Sequence, residues 1–418
     1  MDRILHTFAP VILVTLALLG CTSDGPSSPT PVERGSTLPS PPAPTLQPTS
    51  LPTATPDPCP PIRESAPPAR PATFGNDYVL ALQEYLNAGG DPATLAQVLQ
   101  EWEALAPEGG LPLRQDLTGD GSPEIVITCI NPQAETFPPE GLLAVITCRN
   151  GAYETLYTYA PEPFSNIALI GGQDLTGDGK NELVFAEVTC GAHTCFGTVH
   201  IISWDPASSS FQNWIDGNAT MAYPTVSFKD INDGSGQELL LHGGIIASVG
   251  AGPQRSWNET WSSLAGAPYR LTDLMYDPST CLYHHLLDAN QLMLTGKYAE
   301  AAIAYDALLN DSALEKCGTR DNELDELRSF ARYRLALAYA YSGEMEKAEV
   351  TVVEFLAAEP VNLYAQVADL WWQAYEKPQD AVAACAAVTA FAKDNPDTWL
   401  ILFDFGYANP TFSETEVC

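Results

Sequence analysis

The sequence predicts a multidomain chain: a β-repeat domain followed by an all-α solenoid of helical hairpins. Three observations predict it. A nine-residue stretch, Asp116-Leu-Thr-Gly-Asp-Gly-Ser-Pro-Glu124, returns as Asp174-Leu-Thr-Gly-Asp-Gly-Lys-Asn-Glu182 and, altered, as Asp230-Ile-Asn-Asp-Gly-Ser-Gly-Gln-Glu238, with starts 58 and 56 residues apart (116, 174, 230). A fixed period of that size marks a structural repeat. After Pro278 the apolar residues change from strand-like alternation to a 3.6-residue period. A proline-rich run, unable to build a core, separates both parts from an apolar N-terminus.

Residues 1–21 read as an export signal. The apolar run from Phe8 to Leu19 is too short for a membrane-spanning helix, which needs about 20 apolar residues, and it has the length of a signal-peptide core. Its ending, Leu18-Leu-Gly-Cys21, resembles the lipobox of bacterial lipoproteins. That resemblance implies lipidation of Cys21, anchorage to a bacterial membrane or cell surface, and an extracytoplasmic address. Residues 22–73 hold 16 of the chain's 35 prolines among Ser and Thr. They predict a disordered tether that, at about 3.1 Å per residue, reaches roughly 150 Å.

The formal net charge is −33, with only 19 Lys and Arg. Such a surface repels phosphate backbones, so nucleic-acid binding is excluded. Residues 74–110 form a helical lead-in. Asn76-Asp77 is placed to cap Tyr78–Leu86, and Asp91-Pro92 opens a second helix with Leu95, Val98, Leu99 and Trp102 on one face.

Residues 111–276 alternate strand-like runs with turn signals. In the repeated loop, oxygen side chains fall at positions one, three, five and nine, with Gly at six. That spacing lets alternate residues face inward on a hard cation around a sharp turn. Position twelve is Ile127 or Phe185 and the exits are strand-like, so these are not EF-hands. Loops of this form resemble the calcium loops of FG-GAP and VCBS repeats. The resemblance implies blade-like, partial propeller-like β units with structural Ca2+ in the turn. Its ligands would be Asp116, Thr118, Asp120, Ser122 and Glu124 in the first loop. The second would use Asp174, Thr176, Asp178, Lys180 (carbonyl only) and Glu182; the third, Asp230, Asn232 and Glu238. The alternative is a set of Asx-type turns without metal.

Nine cysteines follow Cys21, and an oxidising compartment permits disulfides. The expected pairs are Cys129–Cys148, Cys190–Cys195, Cys281–Cys317 and Cys385–Cys418, with Cys59 left over. Cys190-x-x-His193-x-Cys195 lacks zinc-site spacing. Gly250-Ala-Gly252 lacks the rest of a dinucleotide fingerprint. No G-x-S-x-G elbow is present, and no histidine has a recognisable catalytic neighbour. Trp257 and Trp261 read as core or rim packing, with an aromatic platform for sugar as the alternative.

Residues 279–418 carry Leu294-Thr-Gly296-Lys-Tyr298-Ala-Glu-Ala301, then Leu335, Ala336, Tyr339, Gly343, Ala348, Phe355 and Pro360, and a less regular third copy with Pro378 and Ala381. These resemble tetratricopeptide (TPR) repeats. Such hairpins stack because none can bury its apolar face alone. The resemblance implies a groove for a protein or peptide. Trp371 and Trp372 lie about 100° apart on a helix. One is expected in the core, the other lining that groove. Thr398 to Cys418 is expected to cap the last repeat, covering it with Trp399, Leu402, Phe403 and Phe405.

The sequence thus predicts an anchored lipoprotein that binds or scaffolds other molecules and is not an enzyme. Capture of a glycan or solute is the alternative. A calcium-dependent hydrolase ranks third, because nothing nominates its catalytic groups.

Overall fold

The computed structural model describes residues 59–418 except 108, 109, 192, 233, 235, 265, 404, 411 and 413–417. The expected signal segment, Cys21 and the expected tether as far as residue 58 lie outside the described residues. No helix among the described residues is long and apolar enough to cross a membrane.

Two short helices open the folded part: α1 (Asn76–Asn87) and α2 (Leu95–Glu101). The expected Asn76–Asp77 cap is not formed, since α1 begins at Asn76 behind Gly75 with no side-chain cap bond. Asp91 does cap, accepting from the Ala93 amide at 2.9 Å. Three antiparallel sheets follow. The first contains β1 (Leu113–Gln115), β2 (Glu124–Ile130), β3 (Gly141–Arg149) and β4 (Ala152–Tyr159). The second contains β5 (Ser165–Gln173), β6 (Glu182–Cys190), β7 (Cys195–Asp205) and β8 (Ser210–Asn213), with β9 (Thr220–Ala222) also on β7. The third contains β10 (Thr225–Lys229), β11 (Glu238–Gly243), β12 (Trp257–Ser262) and β13 (Arg270–Tyr276). Each strand order follows the chain.

The repeated loop joins the first two strands of each sheet in one register: Gln115 faces Glu124, Gln173 faces Glu182, and Lys229 faces Glu238. Period-two alternation decides which way each side chain packs. Ile125, Ile127, Leu142 and Ala144 meet α1 and α2, whereas Val126, Leu143 and Val145 share a core with Leu183, Phe185 and Ile202 of the second sheet. The second sheet's other face (Val184, Val199, Ile201) packs with Leu239, Leu241 and Trp261 of the third. β2 and β3 are thus covered on both sides, while β13 is exposed along its length.

Residues 59–73 are not the free tether expected of them. The Arg63 amide donates to Gly89 O at 2.8 Å, Trp102 Nε1 donates to Pro68 O at 3.0 Å, and Arg70 Nη1 donates to Trp102 O at 2.9 Å. Cys59 pins this strap by a disulfide to Cys148. The expected Cys129–Cys148 pair is corrected accordingly. Cys129 sits opposite Leu142 in the ladder, six residues from Cys148 along β3, which is roughly 20 Å. Cys129 is a free, buried thiol, and burial pushes its pKa up to about 12. Cys190–Cys195, Cys281–Cys317 and Cys385–Cys418 are disulfides.

The helical region contains α3 (Leu282–Leu294), α4 (Tyr298–Asn310), α5 (Glu323–Tyr341), α6 (Met345–Ala358), α7 (Leu363–Tyr375) and α8 (Ala381–Asp394). A 3-10 segment, Pro396–Phe403, follows. Consecutive helices pack, and α5 also contacts α3 and α7. The chain then turns back across these helices. Phe405 stacks on Tyr283 of α3 at 3.7 Å between ring centroids, and Phe412 meets Phe330 of α5 at 6.0 Å. Tyr283 donates its hydroxyl to Pro410 O at 3.1 Å, and Cys418 is bonded to Cys385 of α8.

Candidate functional site

The three loops are the first candidates. Glu124 is fully buried. Its Oε2 accepts from the Leu117 and Thr118 amides (2.8 and 3.1 Å), and its Oε1 from the hydroxyls of Thr118 and Thr147 (3.3 and 2.8 Å). Glu182 repeats this with the Leu175 and Thr176 amides (2.8 and 3.3 Å) and Ser203 Oγ (3.2 Å). Glu238 takes the Ile231 amide (2.8 Å) and Asn232 Nδ2 (2.7 Å). Burial pushes the pKa of Glu124 and Glu182 up, and the hydrogen bonds from the loop amides oppose that rise.

The aspartates serve the backbone as well. Asp116 accepts from the amides of Gly119 (2.8 Å) and Gly121 (2.9 Å), and Asp174 from those of Gly177 (2.7 Å) and Gly179 (3.0 Å). Asp120 and Asp178 accept from the amides of Ser122 (2.8 Å) and Lys180 (2.9 Å), as Asx turns do. Asp230 accepts from the Gly234 amide at 3.2 Å. Gly121 and Gly179 both have φ of 88°, which only glycine adopts without strain.

Among the described residues no three His, Cys, Asp or Glu side chains gather as a metal site would require. The ninth-position glutamates face their own loop's amides, so the residues present do not form the calcium cage that the resemblance implies. What the loops do visibly is close themselves.

Trp371 and Trp372 do not line an open groove. They are 0% and 7% exposed. Their helix, α7, contacts α5, α6 and α8, and its exposed side carries Gln373, not either tryptophan. The expectation of one groove-lining tryptophan is corrected on that ground. The face of α3 and α5 is likewise covered by Phe405, Pro410 and Phe412 of the chain itself.

A cleft of about 430 Å³ lies where the third sheet, α3 and the C-terminal segment meet. From the sheet side come Arg255, Trp257 and Tyr276; from α3, Asp288, Asn290 and Gln291; Asn409 and Phe412 close the third wall. The Arg255 guanidinium lies 4.1 Å from the Tyr276 ring centroid, a cation–π contact. It also forms a fork with both oxygens of Asp288, one bond at 2.9 Å, joining sheet to helix.

Gln254 is tied to Ile246 through both ends of its amide (2.8 and 2.9 Å), and Asn409 donates to Ala251 O at 3.2 Å. His284 is buried, which lowers its pKa. Its Nδ1 lies 2.8 Å from Ser279 Oγ and its Nε2 3.4 Å from Pro253 O. Pro253 O can only accept, so in the neutral ring Nε2 carries the proton and Nδ1 accepts from the Ser279 hydroxyl.

Asn290 is 4% exposed. Its Oδ1 accepts from Arg334 Nη2 at 2.9 Å, while its Nδ2 has no hydrogen bond among the described residues. Behind it, Arg334 Nη1 is buried without a partner.

Sequence reasoning missed this cleft. Its one visible hint was Trp257. Gly250-Ala-Gly252, a false dinucleotide signal, has a packing reason: a Cβ on Gly252 would lie 1.7 Å from Phe405 O. A second cluster brings His242, Ser256 and Asp277 together. His242 Nε2 lies 2.8 Å from Asp277 Oδ2 and the Ser256 hydroxyl also donates to Asp277. Serine is not bonded to histidine, so the arrangement does not activate the hydroxyl.

No protein-family model matches this chain, and no curated protein or solved structure matches it either.

Proposed function

We propose that this chain is an extracytoplasmic, lipid-anchored binding protein, not an enzyme, and that its ligand seat is the cleft between the third sheet, α3 and the C-terminal segment. The observation that carries this reading is Asn290. It is a buried side chain whose amide nitrogen has no hydrogen bond among the described residues, on the wall of a cavity that three separate parts of the chain build. Ligand sites favour such junctions, with apolar walls and a few placed polar groups.

The address rests on the signal-like N-terminus and on four disulfides, which are compatible with an oxidising, extracytoplasmic compartment. A TPR-type peptide groove is the less favoured seat, because the chain's own Phe405 and Phe412 occupy the face of α3 and α5.

The test is a set of native mass spectra of the full, disulfide-bonded chain incubated with a panel of small solutes and, separately, of extended peptides. A solute adduct that disappears in Trp257→Ala supports the reading. Adducts with peptides alone contradict it and return the function to the helices.

A further inference from the structure

Resting on the cleft as ligand seat, the side chains that line it also select the class of ligand. Charge comes first. The chain carries a formal net charge of −33, yet the formal charges lining this cavity among the described residues are one of each sign, Arg255 and Asp288, and they are paired with each other. An anion entering would have to displace Asp288 from Arg255, and a cation would have to displace Arg255 from Asp288. Either exchange gives up a bidentate pair already made, and a cation would also leave Arg255, whose side chain is largely buried, without its carboxylate. His284, held neutral by burial, adds no charge.

Hydrogen-bonding capacity comes next. Asn290 Nδ2 and the Gln291 amide have no side-chain partner among the described residues, and both line the cavity. Asn290 Nδ2 offers a donor, and the Gln291 amide offers donors and an acceptor a short distance apart, which suits a hydroxyl group, itself both donor and acceptor. The apolar share of the wall comes from Trp257, Tyr276, Leu287, Leu294 and Phe412. Rings of this kind give a flat apolar surface with polar rims, and a pyranose has such a face, made of its axial C–H bonds. About 430 Å³ falls in the lower half of the range typical for small-ligand sites, roughly 300–1,000 Å³.

We infer that the cleft takes a neutral, hydroxyl-rich ligand: a saccharide of one or two rings. Its hydroxyls bond Asn290 and Gln291, and its C–H face lies against the aromatic wall. The Arg255–Asp288 fork stays closed on binding and holds sheet and helix at the spacing the ligand needs.

Isothermal titration of the full chain tests this with cellobiose and maltose as neutral probes, and glutamate and putrescine as charged ones. Each titration is repeated in Gln291→Ala, an exposed position whose loss leaves the fold intact, and in Trp257→Ala. The expected result is saturable binding of a neutral disaccharide, weakened at least about tenfold in Gln291→Ala, with no heat from the charged probes. Binding of glutamate or putrescine that is lost in Gln291→Ala overturns the saccharide class while leaving the cleft as the seat. No binding by any probe, or binding unchanged in both variants, overturns the cleft as well.

Discussion

The repeated loops and the cleft differ in where their polar groups are directed. The loops hold the strongest motif in the chain, yet their carboxylates are turned onto groups of the fold itself: Glu124 alone accepts four hydrogen bonds, two from loop amides and two from hydroxyls. The cleft has no motif, yet Asn290 Nδ2, Gln291 and the Arg334 Nη1 behind them remain uncommitted. A polar group already satisfied by its own fold gains little from a ligand, whereas one left open can bond a ligand without breaking a bond of the fold. The loops therefore read as devices of stability, and the proposed ligand seat lies where polar groups are left open.

The largest expected effect comes from breaking a loop. Glu124→Ala leaves the Leu117 and Thr118 amides and the Thr147 hydroxyl buried without their acceptor. At about 1–3 kcal/mol for each orphaned group, urea denaturation should show a loss of about 3 kcal/mol or more, while the surviving folded fraction binds ligand as before. Loss of binding in that fraction would erase the distinction between the two regions.

A change of comparable size that strikes both regions is Phe412→Ala. It removes a ring that packs on Phe330 and also walls the cleft. The expected cost is about 3–5 kcal/mol, the range for burying and then deleting a large aromatic, together with weaker binding. If stability falls and binding does not, the C-terminal segment is a brace only.

Acidity gives a smaller effect near the cleft. His284 has a pKa held below its usual 6.5, first by burial, with Arg255 adding to the depression and Asp288 opposing it. The folded state therefore prefers the neutral ring. The stability this contributes is present above pH 6.5 and is lost as the pH falls through the depressed folded value. Melting temperatures of the wild type should drop more steeply below pH 6.5 than those of His284→Gln. His200, depressed by its own burial, contributes equally to both curves and cancels.

The smallest effect is expected from calcium. Melts in millimolar calcium and in chelator should superimpose if the loop carboxylates are committed to backbone amides. A rise in calcium that vanishes in Asp120→Ala and Asp178→Ala would show that the loops keep open valence after all.

How much of this was legible in the sequence follows from the range of the contacts involved. The loop's Asp, Gly and Glu spacing located the hairpin between the first two strands of each sheet, because the bonds from its aspartates and glutamate to its own amides close within eight residues. The helical hairpins were legible from their period and from Gly296 and Gly343 at the turns. Three features escaped, and each is a long-range pairing. Cys59 reaches Cys148 across 89 residues, so the last part of the Pro-rich run is a strap and not a spacer. Arg255 reaches Asp288 across 33 residues. Phe405 and Phe412 return over α3 and α5, whereas the sequence places the C-terminal cap, Phe405 included, over the last repeat. Periodicity says that a face is apolar; it does not say what lies on it.

The most direct test of the division between loops and cleft is hydrogen–deuterium exchange of the full chain with and without saturating disaccharide. New protection should be confined to peptides spanning residues 254–257, 284–294 and 405–412. Protection centred on residues 116–124 or 174–182, with the cleft peptides unchanged, would contradict the account and place recognition in the loops.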